Sequence, residues 1–193
     1  MGDKNIPKVL QKQKNSFSFS VEDYILYILS KLEPERSDKL KLNKVAFFTE
    51  FAYLYFKQRP LSFAKYAAID KGPVIDTYTD ILERMSKEGK IVIDGYRVRP
   101  LASPKTKVPE EVESFIGPLI KKYALLGNDE LIALSHKTDS YLITTDNETV
   151  MGKIIDKNLA SLETFFEDTE IQSEDSFQLP KINKNNLVKY EHR

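Results

Sequence analysis

The chain has 193 residues, 41% of them hydrophobic and 30% charged, a balance that suits one packed globular domain with tails. Lysine plus arginine equals aspartate plus glutamate at 29 each, so no overall field draws the chain onto nucleic acid. It has no cysteine, which excludes disulfides, thiolate nucleophiles and zinc–cysteine sites and fits a reducing cytosol.

Residues 1–19 carry Lys4, Lys8, Lys12 and Lys14 against Asp3 with little periodicity, and a flexible basic arm without the apolar core of a signal peptide is expected there. Ser20 then offers an N-cap to a first helix, whose stripe of Val21, Tyr24, Ile25, Ile28, Leu29 and Leu32 ends at Glu33-Pro34. A second helix is expected from about Leu40 to Lys57. Its aromatics between Phe47 and Phe56 point in most directions, so it should be covered nearly all round and form the centre of the fold. Val45–Phe56 is also the most apolar stretch. It contains Glu50 and is far shorter than the roughly 20 residues of a membrane span. No membrane partner and a cytoplasmic location follow as expectations.

Leu61–Lys71 reads as a connection with a short helical turn, and Gly72-Pro73 as the start of a third helix carrying Val74, Thr77, Tyr78, Ile81, Leu82 and Met85. After Gly89, Asp94-Gly95 between two β-prone triplets signals a hairpin over Ile91–Val98 with a type I′ turn. Glu110-Glu111 open a fourth helix, in which Gly117-Pro118 is expected to produce a kink. Asn128 caps a short fifth helix running to about Lys137. Thr145 and Glu148, spaced as a capping box, introduce a sixth helix carrying Val150, Met151, Ile154, Ile155, Leu159, Leu162, Phe165 and Phe166. From residue 167 the chain turns acidic and loses its stripe, so 167–193 are expected to be a solvated tail. The fold class is thus mainly α: a compact bundle of about six helices over residues 20–166 with one small hairpin.

No assembled catalytic site is legible, and no enzyme activity, cofactor or metal is expected. The seven glycines form no phosphate-cradling loop, and two histidines, His136 and His192, cannot make a zinc helix. Ser135, His136 and Asp139 resemble parts of a triad, but they lie within five residues, too close in sequence for one imidazole to bridge the other two. The plainer expectation is that His136 bonds a backbone carbonyl. Helix three followed by a hairpin bearing Arg97 and Arg99 raises a winged-helix, DNA-binding alternative. That helix carries Asp76, Asp80, Glu83 and Glu88 against Arg84 and Lys87, a net charge of −2 that disfavours nucleic acid.

Two segments together resemble the Panacea domain, the SocA-like antitoxin family. Lys41-Leu42-Asn43-Lys44, leading into Phe47-Phe48 and Tyr53 and then Ala68 to Val74, is similar to that family's K-L-x-K helix followed by A-W-x-x-G-P-V. Leu134-Ser135-His136 resembles its L-[ST]-H, with Tyr141 near the usual tryptophan. Ile69 stands in place of one tryptophan, and Ser140-Tyr141 in place of a Pro-Trp pair. The resemblance covers about residues 20–145. It implies a non-enzymatic antitoxin that neutralises a cognate protein toxin by direct binding, or the same module in a phage or mobile-element accessory protein; homo-oligomerisation stays open. It also singles out Lys41, Leu42, Lys44, Gly72, Pro73, Val74, Leu134, Ser135, His136 and Tyr141 as structural or partner-binding positions. Gly72 and Pro73 read most simply as a tight turn and helix start. Lys44 reads as a surface lysine or as the partner of a buried carboxylate.

Overall fold

The computed structural model describes residues 17–167; residues 1–16 of the expected 1–19 arm, residues 168–193 of the expected 167–193 tail and His192 lie outside the described residues. Phe19, read as part of the arm, is instead wholly buried and bonds the backbone of Leu61 and Phe63 at 2.9 and 3.0 Å. The fold is mainly α with small antiparallel hairpins, as the periodicity implies. Its elements are α1 (Val21–Lys31), α2 (Lys39–Lys57), β1 (Tyr66–Ile69), β2 (Gly72–Ile75), α3 (Tyr78–Lys87), β3 (Ile91–Asp94), β4 (Arg97–Pro100), α4 (Glu110–Leu125), α5 (Asn128–Ser135), α6 (Asp139–Thr145) and β5 (Ile154–Ile155). Short 3-10 turns follow α1 at Pro34–Arg36 and β5 at Lys157–Leu162.

The centre is α2. All residues from Lys41 to Tyr53 are buried, because α1, α4, α5, β2 and the Lys157–Leu162 turn cover it from every side. Asp38 starts the helix by accepting from Lys41 N–H at 2.8 Å. Ser20 does the same for α1 at 3.2 Å. α1 is more enclosed than one stripe suggests: its six residues Tyr24–Leu29 are all buried, between α2, α4 and β4. α4 runs along α2, with Tyr123 stacked on Phe48 at 4.3 Å and Phe115 edge-on to Tyr53 at 5.7 Å. It continues through Pro118, which lies on the exposed side, where a lost backbone bond can be replaced by water.

Several expectations about the elements are corrected. Gly72-Pro73 does not open helix three; it opens β2, which pairs antiparallel with β1 across a loop of Asp70-Lys71. Gly72 has φ +80°, so the turn is closed by a left-handed glycine, and Val74-Ile75 continue as β-branched strand residues. The helix starts later, at Tyr78. Secondly, β3 and β4 do form the expected hairpin, but Asp94 pairs with Arg97, so the loop is Gly95-Tyr96. Only Gly95 is left-handed there, the pattern of a type II′ turn rather than I′.

The third correction is the sixth helix. The apolar residues from 150 to 166 form no α-helix, because Thr145 ends α6, and Asp146, Asn147 and Glu148 all have positive φ. Glu148 N–H does bond Thr145 Oγ1 at 3.0 Å, but it closes a turn. The chain beyond is held piece by piece. Ile155 pairs with Tyr66 in the sheet ordered β2-β1-β5, while Phe165 and Phe166 pack on Phe48 and Tyr55 of α2. The expected helical turn near Phe63–Ala67 is likewise replaced by the entry to β1.

Two buried carboxylates fasten this last segment. Glu50, wholly buried in α2, accepts from the backbone of Leu61 at 3.2 Å and Ser62 at 3.4 Å, from Ser62 Oγ at 2.5 Å and from Lys157 Nζ at 2.6 Å. Glu163 reaches back to accept from the Asp139 and Ser140 N–H groups at 3.0 and 2.9 Å, capping the start of α6. Burial raises both carboxyls above the usual range against the pull of these donors.

Candidate functional site

Gly72 is the point at which the motif residues meet. A Cβ there would lie 2.1 Å from Ser135 Oγ, 2.7 Å from Lys44 Nζ and 3.2 Å from His136 Cδ2, so helix α2 and the end of α5 both close onto one α-carbon. Only glycine meets both demands, positive φ and no side chain.

Lys44 is 1% exposed, and its Nζ donates to the Pro73 carbonyl at 3.0 Å. No carboxylate lies within ion-pair distance of it among the described residues. It is therefore neither of the two things expected, a surface lysine or the partner of a buried acid. Burial without a counter-charge pulls the ammonium down to about 7, near its midpoint at neutral pH. The preceding residue, Asn43, accepts from Ile75 N–H at 2.7 Å and donates to the Lys39 carbonyl at 2.8 Å.

These two side chains complete a sheet edge. Ala68, opposite Pro73, turns its backbone groups toward the β5 side, where they bond Lys153 and Gly152. Pro73 and Ile75 accordingly present theirs to the free side of β2. Asn43 takes the donor of Ile75, and Lys44 takes the acceptor of Pro73. Proline suits this register because an N–H at position 73 would point at the Lys44 ammonium, a donor facing a donor. The K-L-x-K and G-P-V segments are two halves of one lock.

The Leu-Ser-His segment closes it from the other side. Ser135 Oγ donates to the Ile132 carbonyl at 2.8 Å. The His136 ring stacks on Tyr141 with centroids 4.8 Å apart, and its Nδ1 meets the Glu148 carboxylate at 2.9 Å rather than a backbone carbonyl. Its Nε2 is buried and makes no hydrogen bond among the described residues. Tyr141 donates its hydroxyl to the Ile69 carbonyl at 2.9 Å; burial, with Glu148 and Asp70 nearby, holds that phenol above its ordinary range. Leu42 is core, Leu134 packs half-buried against it, and Val74 pairs with Ala67. Lys41 stands apart on the other flank of α2, where its ammonium meets the carbonyls of Ala124 and Leu126 at the end of α4.

No triad forms from Ser135, His136 and Asp139: Asp139 accepts from Thr164 N–H and Oγ1 at 2.6 and 2.9 Å, away from the imidazole. Asn43, Glu50 and Glu163 were not singled out by their spacing, and Glu148 only as part of a capping box rather than as the partner of His136. Glu50 left a trace, as the one charged residue within the apolar run Val45–Phe56.

The model of the family described as antitoxin SocA-like, Panacea domain, matches residues 42–140. The chain belongs to this family. No curated protein and no solved structure matches it. The matched span contains Leu42–Lys44 and the Gly-Pro-Val and Leu-Ser-His segments of this Panacea domain; it starts one residue after Lys41 and stops one residue before Tyr141. The two departures from the family pattern touch each other, since Tyr141 hydrogen-bonds the carbonyl of Ile69. No helix among the described residues is long and apolar enough to cross a membrane.

Proposed function

We propose that this Panacea-domain protein neutralises a cognate protein toxin by direct binding and has no enzymatic activity. Family membership supports an antitoxin role in general. The observation that carries the binding mode is the engagement of the motif side chains. Of the motif groups able to act as base, nucleophile or acid, Lys44, Ser135, Tyr141 and Lys41 donate to backbone carbonyls and His136 meets a carboxylate through Nδ1. Their chemistry holds the hairpin to the helices and leaves the outer surface to a partner.

Nucleic-acid recognition finds less support. A helix-turn-helix joins its two helices by 3–4 residues, whereas the whole β1–β2 hairpin separates α2 from α3. α3 carries Asp80 and Glu83 against Arg84 and Lys87, with Glu88 directly after it, so it presents no net positive face to phosphates. An accessory role in a phage or mobile element would use the same surface and differ in which protein co-purifies.

The test is co-expression with the toxin of the adjacent gene, co-purification, and titration of toxin activity with purified protein. Inhibition should scale with the molar ratio. A catalyst turns over about 1–10³ times per second, so rescue at a hundredfold deficit of this protein would overturn binding as the mechanism. So would loss of rescue in a folded His136→Ala variant that still binds.

A further inference from the structure

Away from the lock, a groove of about 390 Å³ runs between the end of α1, the Pro34–Arg36 turn and the second half of α4. Its floor is aliphatic, formed by Ile120, Ala124 and Leu125, and Leu125 is 61% exposed there. Its rim holds Lys31, Arg36 and Lys121 against Glu33. Lys31 is paired with Glu113 at 2.7 Å, Arg36 lies 3.6 Å from Glu33 and donates to the Leu125 carbonyl at 3.3 Å, and Lys121 has no acidic partner among the described residues. An apolar floor with surplus positive charge fits an acidic, apolar segment.

Charge separates the two stretches of sequence outside the described residues. Residues 1–16 have four lysines and one aspartate, the wrong sign for this rim. Residues 168–180 contain Asp168, Glu170, Glu174 and Asp175 and no lysine or arginine, interleaved with Ile171, Phe177 and Leu179. We propose that residues 168–180 dock into this groove of their own chain, carboxylates on the rim cations and apolar side chains on the floor.

Position and length agree. Phe165 packs on Phe48, which stacks on Tyr123 of α4, one helical turn from Ile120 and next to Ala124. Thirteen residues can span up to about 43 Å, whereas the 16 residues of α4 extend only about 24 Å. Tethering supplies an effective concentration of order millimolar, so a contact too weak to survive between separate molecules would hold within one. The proposal does not depend on the toxin.

The absence of cysteine makes the test direct. In the full chain, a nitroxide on Ser173→Cys should attenuate the methyl resonances of Ile120 and Leu125 at least twofold more than those of the exposed Ile154 and Leu101. Lys121→Glu, at an exposed position, or added salt should abolish the difference, since the rim charges are screened within about 10 Å at 0.1 M. Attenuation centred on Tyr55, beside Phe166, or spread equally over the surface would overturn the proposal. So would attenuation at the groove that survives Lys121→Glu. If the loss is as strong in an isotope-labelled chain without nitroxide when it is mixed with an unlabelled nitroxide-bearing chain, the occupant is a second copy, and docking within the chain is overturned.

Discussion

Gly72 carries three side chains against one α-carbon and a φ of +80°, so any larger residue there must both strain the backbone and push apart Ser135 and Lys44. Gly72→Val should therefore lower stability by about 2 kcal/mol or more; a denaturation midpoint unmoved from the parent would remove the lock as described. Lys44 makes the same site sensitive to pH. It titrates near 7 in the fold and near 10.4 when unfolded, so the unfolded chain holds more protons throughout that interval, and stability rises with pH across it. From pH 7 to about 9.5, before the tyrosines begin to ionise, the gain should approach roughly 3 kcal/mol. Lys44→Met should flatten that slope, which denaturant titrations at a series of pH values would show. Pro73→Ala returns a donor that faces the ammonium with nothing to accept it. A loss of about 1 kcal/mol or more is expected, most evident at pH 6, where Lys44 is charged.

Among the elements, α1, α2, α4, α5 and the β3–β4 hairpin were legible because each carries its own local signal, a stripe with a cap or two β-prone triplets around a turn. The β1–β2 hairpin and the segment after α6 were not, and the reason is physical. Gly72-Pro73 suits a helix start or a strand start equally well by local rules, and the choice is made by Asn43 and Lys44, some thirty residues earlier in the chain, which complete the β2 edge. In the same way, the apolar spacing from Val150 to Phe166 imitates a helix. Three left-handed residues at Asp146–Glu148 and separate tertiary contacts divide it instead. The convergence of Lys44, Gly72 and Ser135-His136 could be suspected from motif order, but Glu148 and Glu163 act across distances that spacing does not encode. Glu163 caps α6 from outside the helix. Glu163→Ala should speed hydrogen exchange at the Asp139 and Ser140 amides selectively and cost about 1–2 kcal/mol; uniform acceleration across the protein would show that the bond is not a local cap.

At the scale of the whole molecule, cations and anions balance at 29 each, and α3 is neutral in itself, with Asp80 and Glu83 against Arg84 and Lys87, so neither supplies a positive field for a phosphate backbone. Any binding to duplex DNA should be weak and should fall steeply between about 50 and 200 mM salt. A sequence-specific complex tighter than about 10⁻⁸ M, seen by fluorescence anisotropy, would favour a regulator over a protein-binding antitoxin. The chain is held as one body by α2, whose Glu50 reaches the Ser62 loop and Lys157 while its Asn43 and Lys44 hold the hairpin. This arrangement makes Lys44 a built-in reporter of opening. An amine near its midpoint at neutral pH is a good nucleophile toward acylating reagents, but it is 1% exposed and closed off behind the hairpin. Surface lysines would be acylated continuously at their exposed rate, whereas Lys44 would wait for the hairpin to lift from α2. Its acylation rate relative to theirs, followed by mass spectrometry, would report the population of that open state, and a bound partner that clamps the hairpin would lower it without touching the lysine.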